Sequence, residues 1–440
     1  MSFNIRRISI TFITIILTVL ISNFSLAKFS GEKSTVANIL GTNSTEFLAL
    51  FYESFAKVKK EYVTEVSDKE LIEAAINGML SSLDPHSAYW DPKSFEDMRQ
   101  ITRGEYGGLG MEVTMENGLV KVVTPIEGTP AEKVGMKPGD FIIGINTEPV
   151  FGLTLTEAVE KMKGKAGTEI KLTITRDGLN EPLDINLIRE IIKIRSTRSK
   201  LFEDIAYVRL NTFNEKINEA MIKEYDTLKS QAKKPLKGLI LDLRNNPGGL
   251  LEQAVAVADS FLNEGKIVTT KSRNNEEEFK FSATKGDITN GLPIVVLINN
   301  GTASAPEIVA GALQDNKRAI ILGTKSFGKG SVQTVMPMSN GGAMKITTAR
   351  YYTPADKSIQ AEGITPDIYV EQAKIEKAAP AKLKIHESTL HRHLEKVSPE
   401  KEISEQEKKL NEMYEQDFQL ARAIDVIKTI DIYSSTGKKK

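Results

Sequence analysis

Ile294-Val295-Val296-Leu297-Ile298-Asn299-Asn300-Gly301-Thr302-Ala303-Ser304-Ala305-Pro306-Glu307-Ile308-Val309 reads as a strand, a turn of small residues and the start of a helix. Five apolar residues without polar alternation suit a strand covered on both faces. A strand that runs through such a turn into a helix lifts a hydroxyl out of the sheet and onto the helix N-terminus, the geometry of a nucleophile elbow. The same residues support a quieter reading. Ser304-x-x-Glu307 before an apolar helix is a capping box, and Pro306 fits its first turn because a missing N–H costs little there. This stretch alone does not choose between the two.

On either side, apolar strands alternate with helices. Residues 238–243, 294–298 and 319–322 read as buried strands, and 254–261 and 305–314 as helices following two of them. The alternation predicts an α/β layered core over 181–375.

Lys329 lies in Lys325-Ser326-Phe327-Gly328-Lys329-Gly330-Ser331-Val332-Gln333. Glycine on both sides lets the backbone approach another element closely. A lysine works as a general base only if burial lowers its pKa from about 10.4 toward neutrality, and Phe327 and the glycines offer no counter-charge. Gln333, four residues on, shares the face of Lys329 if the segment is a strand and is able to orient the amine. The alternative is a surface lysine, the usual fate of the residue. The chain has four histidines, His86, His386, His391 and His393, and none falls within 181–375. A Ser-His-Asp triad would need an imidazole there, so lysine is the expected base for Ser304.

Acyl transfer also needs donors for an oxyanion. The Ala305 N–H sits at the helix start beside Ser304. A second donor is available in Asp242-Leu243-Arg244-Asn245-Asn246-Pro247-Gly248-Gly249, although Pro-Gly-Gly equally suits a plain strand-to-helix turn.

Residues 98–180 carry different punctuation: short strands, two short helices and Gly/Asp turns, a compact module. Gly107-Gly108-Leu109-Gly110 before the strand starting at Met111 can turn successive N–H groups toward a terminal carboxylate, and that strand can pair with a peptide. Leu109, Met111 and Val113 would line an apolar site for the last side chain. A ligand-free glycine turn is the alternative. Residues 28–97 read as largely helical, a cap on the core or a dimerisation arm, with a turn or linker containing two prolines at 84–92. Residues 376–440 form a charged arm with a helical pattern over 402–430, either docked or solvated.

Arg6 and Arg7 precede an apolar run over 8–21, then Ser25-Leu26-Ala27 with small residues two apart. This reads as a signal peptide, 1–27, cleaved after Ala27. The rival is an uncleaved anchor, for which the run is short of the roughly 20 apolar residues a span needs. The chain has no cysteine, hence no disulfide and no thiol nucleophile, which suits a bacterial periplasm. Lys+Arg and Asp+Glu both count 58, so no basic field exists to recruit nucleic acid. No metal-ligand cluster or phosphate loop stands in the sequence, and no cofactor is implied.

Taken in order, Leu83-Asp84-Pro85-His86-Ser87-Ala88-Tyr89, Gly107-Gly108-Leu109-Gly110, Leu243-Arg244-Asn245-Asn246-Pro247-Gly248-Gly249, Thr302-Ala303-Ser304-Ala305 and Phe327-Gly328-Lys329-Gly330-Ser331-Val332-Gln333 resemble the C-terminal processing (tail-specific) peptidases. The resemblance implies an α/β multidomain chain: a crotonase-like α/β protease core with an inserted PDZ domain over 98–180 and helical N- and C-terminal arms. It implies Ser304 as nucleophile, Lys329 as base and Gln333 as the amide that orients the lysine. Oxyanion donors fall at Ala305 and the Gly248–Gly249 turn, and substrate C-terminus binding at Gly107, Gly108, Leu109, Gly110 and Met111. Pro306 departs from the small residue usual there. Implied substrates are exported proteins with apolar C-termini, with PDZ gating of the protease carried over as an expectation. An adaptor lipoprotein and a homo-oligomer, a dimer above all, are partners the sequence leaves open. A scaffold that has lost activity, and acyl-CoA chemistry on a crotonase-like core, are the competing functions. The intact Ser304, Lys329 and Gln333 oppose the first, and the signal with the PDZ module opposes the second.

Overall fold

The computed structural model describes residues 44–273, 278–373, 391, 392, 394 and 416–437. The expected signal peptide, residues 28–43, His386, His393 and the arm over 402–415 lie outside the described residues. The chain forms two compact units, 1–83 and 84–440. In the first, helix α1 (Ser44–Glu61) is followed by α2 (Asp68–Ser81), which starts at a full capping box between Ser67 and Glu70. Among the described residues no helix is long and apolar enough to cross a membrane.

The second unit opens with the short strand β1 (Ala88–Trp90) and helix α3 (Pro92–Arg103). Asp91 caps α3 by accepting from the Ser94 N–H at 2.7 Å, and Gly104 ends it at φ 73°. Strand β2 (Glu105–Gly108) then leads into the small module: β3 (Met111–Glu116), β4 (Leu119–Pro125), helix α4 (Pro130–Lys133), β5 (Phe141–Ile145), β6 (Glu148–Pro149), α5 (Leu155–Met162), β7 (Glu169–Thr175) and β8 (Leu183–Ile188). β9 (Glu190–Lys193) leaves it, paired with β2, so entry and exit run side by side. The module sheet has the order β3-β4-β5-β7-β8, with β6 on β5. Its strands alternate as an amphipathic sheet should: Ile170, Leu172 and Ile174 of β7 are buried and the residues between them face outward. The expected boundary at 180 falls too early, because β8 pairs with β7 from Glu169↔Ile188 to Ile174↔Leu183.

The core follows: β10 (Thr197–Phe202), β11 (Ile205–Leu210), α6 (Ile217–Gln231), β12 (Gly238–Asp242), α7 (Leu251–Asp259), β13 (Lys266–Ser272), β14 (Glu278–Ser282), β15 (Ile294–Ile298), α8 (Ala305–Asp315), β16 (Ile320–Gly323), β17 (Ser331–Pro337), β18 (Ala343–Tyr352), β19 (Ile368–Tyr369) and α9 (Phe418–Gly437). One sheet has the order β10-β11-β12-β15-β16-β19 and is parallel from β11 onward. Both β12 and β15 are buried along their whole length, as central parallel strands require. Leu239, Leu241, Val296 and Ile298 share a core with residues of α6, α7 and α8. Ile240, Val295 and Leu297 share the opposite one with Leu420, Ala423, Ile424 and Ile427 of α9. The described end of the charged arm is therefore a docked helix rather than a solvated one.

The start of α9 is pinned by a buried cation. Arg244 donates to Asp417 Oδ1 at 2.8 Å and Oδ2 at 2.7 Å, to Gln419 Oε1 at 3.0 Å and to Asp242 Oδ2 at 2.7 Å. A buried guanidinium is tolerated only when its donors are matched in this way.

The second core sheet has the order β1-β18-β13-β14, with β17 also on β18. Ala88, Tyr89 and Trp90 pair with Lys345, Met344 and Ala343. Residues 84–90, part of the 84–92 stretch expected to be a turn or linker, are thus built into the core.

Candidate active site

β15 delivers the chain to a turn tied down by side chains. The Thr302 hydroxyl donates to the Leu243 carbonyl at 2.9 Å, and the Ala303 N–H to the Asn246 carbonyl at 2.9 Å. Ser304 follows at φ 69°, ψ −112°, a conformation a β-carbon disfavours and one that persists only where the surroundings enforce it. Ser304 is 7% exposed. Burial pushes the Tyr351 phenol up to about 12, and the Ser304 hydroxyl acts on it in the opposite direction. Tyr351 gave no sequence signal.

Glu307 holds the turn in place. Its carboxylate is fully buried. Oε2 accepts from the Ser304 N–H at 2.7 Å and the Lys329 N–H at 2.9 Å. Oε1 accepts from the Ser326 hydroxyl at 2.6 Å and the Gly328 N–H at 2.7 Å. The Ser304 and Lys329 amide nitrogens therefore cannot be farther apart than two hydrogen bonds laid end to end. The glutamate half of the expected capping box is present, while the Glu307 N–H donates to the Ser304 carbonyl at 2.9 Å, and the same glutamate also clamps the lysine loop.

The glycines beside Lys329 have the expected purpose. A β-carbon at Gly330 would lie 2.3 Å from the Gln360 nitrogen, and one at Gly328 3.0 Å from that of Gly363. The Lys329 amine is half-buried. Burial lowers its pKa, Lys345 lowers it further, and Asp84 and Glu307 oppose the shift. Among the described residues no carboxylate forms an ion pair with it.

Asp84 and His86 stand near this amine. Burial and then the Lys329 charge push the His86 imidazole below its ordinary value, which favours its neutral form. The sequence argument that no histidine reaches the core therefore needs correcting. His86 arrives from outside 181–375, carried in by the pairing of β1 with β18.

Gln333 lies on β17, but β17 begins only at Ser331, and a register shift separates Val332 from Gln333. Alternation cannot be counted back to Lys329 across that start. The Gln333 amide donates to Ser331 Oγ at 2.8 Å and Thr347 Oγ1 at 3.4 Å.

Of the expected oxyanion donors, Ala305 opens α8, where a first-turn N–H has no helical acceptor. Gly248 touches the elbow: a β-carbon there would lie 3.0 Å from that of Ser304 and 3.3 Å from the Ala305 nitrogen. Its N–H, however, donates to Asn246 Oδ1 at 2.9 Å. Gly248 thus supplies close approach rather than the expected donor. The neighbouring bridge runs from Phe213 N–H to Gly248 O and from Leu250 N–H to Phe213 O, which leaves the Gly249 N–H out.

In the small module, Gly107 and Gly108 lie in β2, paired with Ile191 and Glu190. A β-carbon at Gly107 would lie 2.0 Å from the Gly164 carbonyl oxygen. The carbonyls of Leu109 and Gly110 accept from the Ala131 and Ile126 N–H groups, both at 2.9 Å, while the Leu109 and Gly110 N–H groups donate to no acceptor among the described residues. Met111 starts β3, which among the described residues pairs only with β4 and so has an open edge. Met111, Val113 and Met115 of β3 and Leu155 and Val159 of α5 are partly exposed on one apolar cluster.

Family models match along the chain: peptidase family S41 over residues 204–370, the PDZ domain over 107–187, and the activating protease CtpB N-terminal domain over 22–94. The carboxy-terminal-processing protease of Bartonella bacilliformis is 53% identical over 358 residues, which cover 80% of this chain and 81% of that protein. Carboxy-terminal processing protease CtpA of Bacillus subtilis is 33% identical, covering 83% and 78%. Among solved structures, a photosystem II D1 C-terminal processing protease is 31% identical with a TM-score of 0.43, covering 73% of this chain and 92% of that one. The chain belongs to peptidase family S41, as a C-terminal-processing serine protease that carries a PDZ domain.

Proposed function

We propose that this protein is an endopeptidase that cuts exported proteins with a Ser304–Lys329 dyad after its PDZ domain has captured their apolar C-termini. The uncharged Lys329 amine takes the Ser304 proton as Oγ attacks the scissile carbonyl. The Ala305 and Gly249 N–H groups receive the oxyanion. The resulting ammonium returns its proton to the leaving amine, and water attacks the acyl-enzyme in the same way to free Ser304. The Gln333 carbonyl oxygen accepts from the lysine amine and orients it. The observation that carries this reading is the shared Glu307 carboxylate, which ties the Ser304 and Lys329 backbones to one oxygen while no carboxylate among the described residues pairs with the amine.

Capture at the PDZ domain is supported by the unused Leu109 and Gly110 N–H groups beside the open edge of β3. A terminal carboxylate would take those donors, the peptide would add a strand, and its last side chain would enter the apolar cluster of β3 and α5. The segment 1–27 supports export across the inner membrane to the periplasm, cleaved or retained as an anchor. Assembly as a dimer and loading by an adaptor lipoprotein are further parts of this proposal.

An unstructured substrate ending in apolar residues tests it, offered with a free and with an amidated C-terminus. Amidation is expected to lower kcat/KM at least tenfold, because a buried donor loses its charged acceptor. Equal values for the two substrates would rule out carboxylate capture. Ser304→Ala is expected to cleave neither substrate, and cleavage at the wild-type rate would rule out the nucleophile.

A further inference from the structure

The turn 243–249 is held from two sides, and the proposed mechanism uses only one of them. On the side of the elbow, the Leu243 carbonyl accepts from the Thr302 hydroxyl at 2.9 Å and the Asn246 carbonyl from the Ala303 N–H at 2.9 Å. Asn299 adds a paired contact with Asn245. Its Oδ1 accepts from the Asn245 N–H at 2.9 Å, and its Nδ2 donates to Asn245 Oδ1 at 2.9 Å. At its far end the turn is stopped by Phe213, whose carbonyl oxygen would lie 2.2 Å from a β-carbon at Gly249. These contacts set where the Gly248 and Gly249 backbone stands relative to Ser304.

The other side is the buried Arg244 side chain, which reaches the start of α9. That helix packs on the sheet face opposite α8. The guanidinium meets both oxygens of Asp417 as a fork, at 2.8 and 2.7 Å, with Gln419 Oε1 as a further acceptor. A forked pair fixes orientation as well as distance. Asp242, at the end of β12, is the inner anchor. Its Oδ1 accepts from the Arg244 N–H at 2.9 Å and from Nε at 3.0 Å, and its Oδ2 from the Tyr207 hydroxyl at 2.8 Å. Gln419 is fixed in turn by donating to the Val370 carbonyl at 2.8 Å. A carboxylate 173 positions along the chain thus completes the network on the turn that touches the elbow. Without it, a buried cation would keep a single carboxylate and would have to move to find other acceptors, taking Asn245 and Asn246 with it.

We propose that Asp417 is a positioning residue of the active site: through Arg244 it holds the turn 243–249 against the Ser304 elbow, so that the start of α9 must be docked for the Gly249 N–H to face the oxyanion. The effect falls on the transition state. A displaced donor weakens the tetrahedral intermediate, whereas the groups that capture the substrate C-terminus lie in the small module and are untouched.

This inference rests on the reading of Ser304 as nucleophile and Gly249 as an oxyanion donor, and the test separates the two. Steady-state kinetics are measured on the full chain for wild type, Asp417→Asn, Asp417→Glu, Asp431→Asn and Ser304→Ala, with thermal unfolding of each. The affinity of a peptide boronic acid is measured alongside, because its boron takes the Ser304 oxygen and mimics the tetrahedral intermediate. Asp417→Asn is expected to lower kcat at least about tenfold with KM within about twofold of wild type, and to weaken the boronate by the same factor as kcat/KM. Asp417→Glu keeps the carboxylate and is expected to recover most of the rate. Asp431→Asn breaks the 3.2 Å ion pair that the same helix makes with Lys237, and is expected to behave as wild type. Should Asp417→Asn unfold at the assay temperature, Gln419→Met replaces it: one acceptor of Arg244 is lost, the ion pair stays, and kcat is expected to fall with KM unmoved. An unchanged kcat in the variant that is read, a loss of rate without a loss of boronate affinity, or an equal loss in Asp431→Asn overturns the role of Asp417 and leaves the dyad standing. Wild-type cleavage by Ser304→Ala overturns the nucleophile itself.

Discussion

A Lys329→Ala protein is expected to cleave peptides at least roughly 10⁴-fold more slowly than wild type while remaining folded. Folding should survive because the loop is held by its backbone. The Lys329 and Gly328 N–H groups stay on Glu307, and the Ser326 hydroxyl bridges Glu307 and the Ile364 N–H. Among the described residues the amine itself has no ion pair whose loss would unfold the site. Lys329→Arg is the sharper variant. It keeps the charge and the length but cannot deprotonate at working pH, so it is expected to be as slow as the alanine variant. The sign of the wild-type pH dependence follows from the depressed amine. Below its folded-state pKa the group is an ammonium and the enzyme is idle, and activity rises as pH passes that value, well short of the ordinary lysine range. Steady-state rates across pH 5 to about 10 check this, and a Lys329→Arg enzyme within tenfold of wild type would contradict it.

The second large effect is expected at Glu307. Glu307→Gln preserves shape and volume, yet four donors converge on that carboxylate. The amide keeps one oxygen for two of them and turns an NH₂ group toward the other two. With hydrogen bonds to a charged group worth about 1.5–3 kcal/mol each, the loss should be on the order of 3–5 kcal/mol. Activity should fall at least about 10²-fold, because Ser304 and Lys329 lose their common tether. Denaturant unfolding and single-turnover rates on one preparation measure both. A variant within about 0.5 kcal/mol of wild type that cleaves normally would show that the clamp is unimportant.

Much of this was legible because it is local. The runs 238–242 and 294–298 carry no polar alternation, and they are the strands buried on both faces. Ser304 before an apolar helix, and glycines on both sides of Lys329, each report a tight backbone in a few residues. What was missed depends on pairing across long stretches of chain. Residues 84–87 look like a linker because nothing nearby reveals that the Ser87 hydroxyl will accept from Thr347, 260 residues later. Trp90 and Lys345 meet for the same reason. Glu307 gave a strong signal with too small a meaning: the box with Ser304 is visible at a spacing of three, whereas the Ser326, Gly328 and Lys329 donors are not. Gln333 was placed by counting alternation through a segment that is not yet a strand. The Gly248 donor was lost to Asn246 two residues away, a bond that an Asn-Pro-Gly turn permits but does not announce. The module boundary slipped because Asp177-Gly178 is a hairpin turn inside the sheet rather than its end.

The central claim is an uncharged amine at Lys329 that activates the Ser304 hydroxyl. It is tested most directly by the rate at which a serine-directed fluorophosphonate labels Ser304 as pH is raised, in wild type and in Lys329→Ala. The expected result is a wild-type rate that climbs through one midpoint well below about 10.4, with the label on Ser304 and almost none in the variant. Labelling of the variant at the wild-type rate, or a wild-type midpoint at the value of free lysine, would contradict the claim.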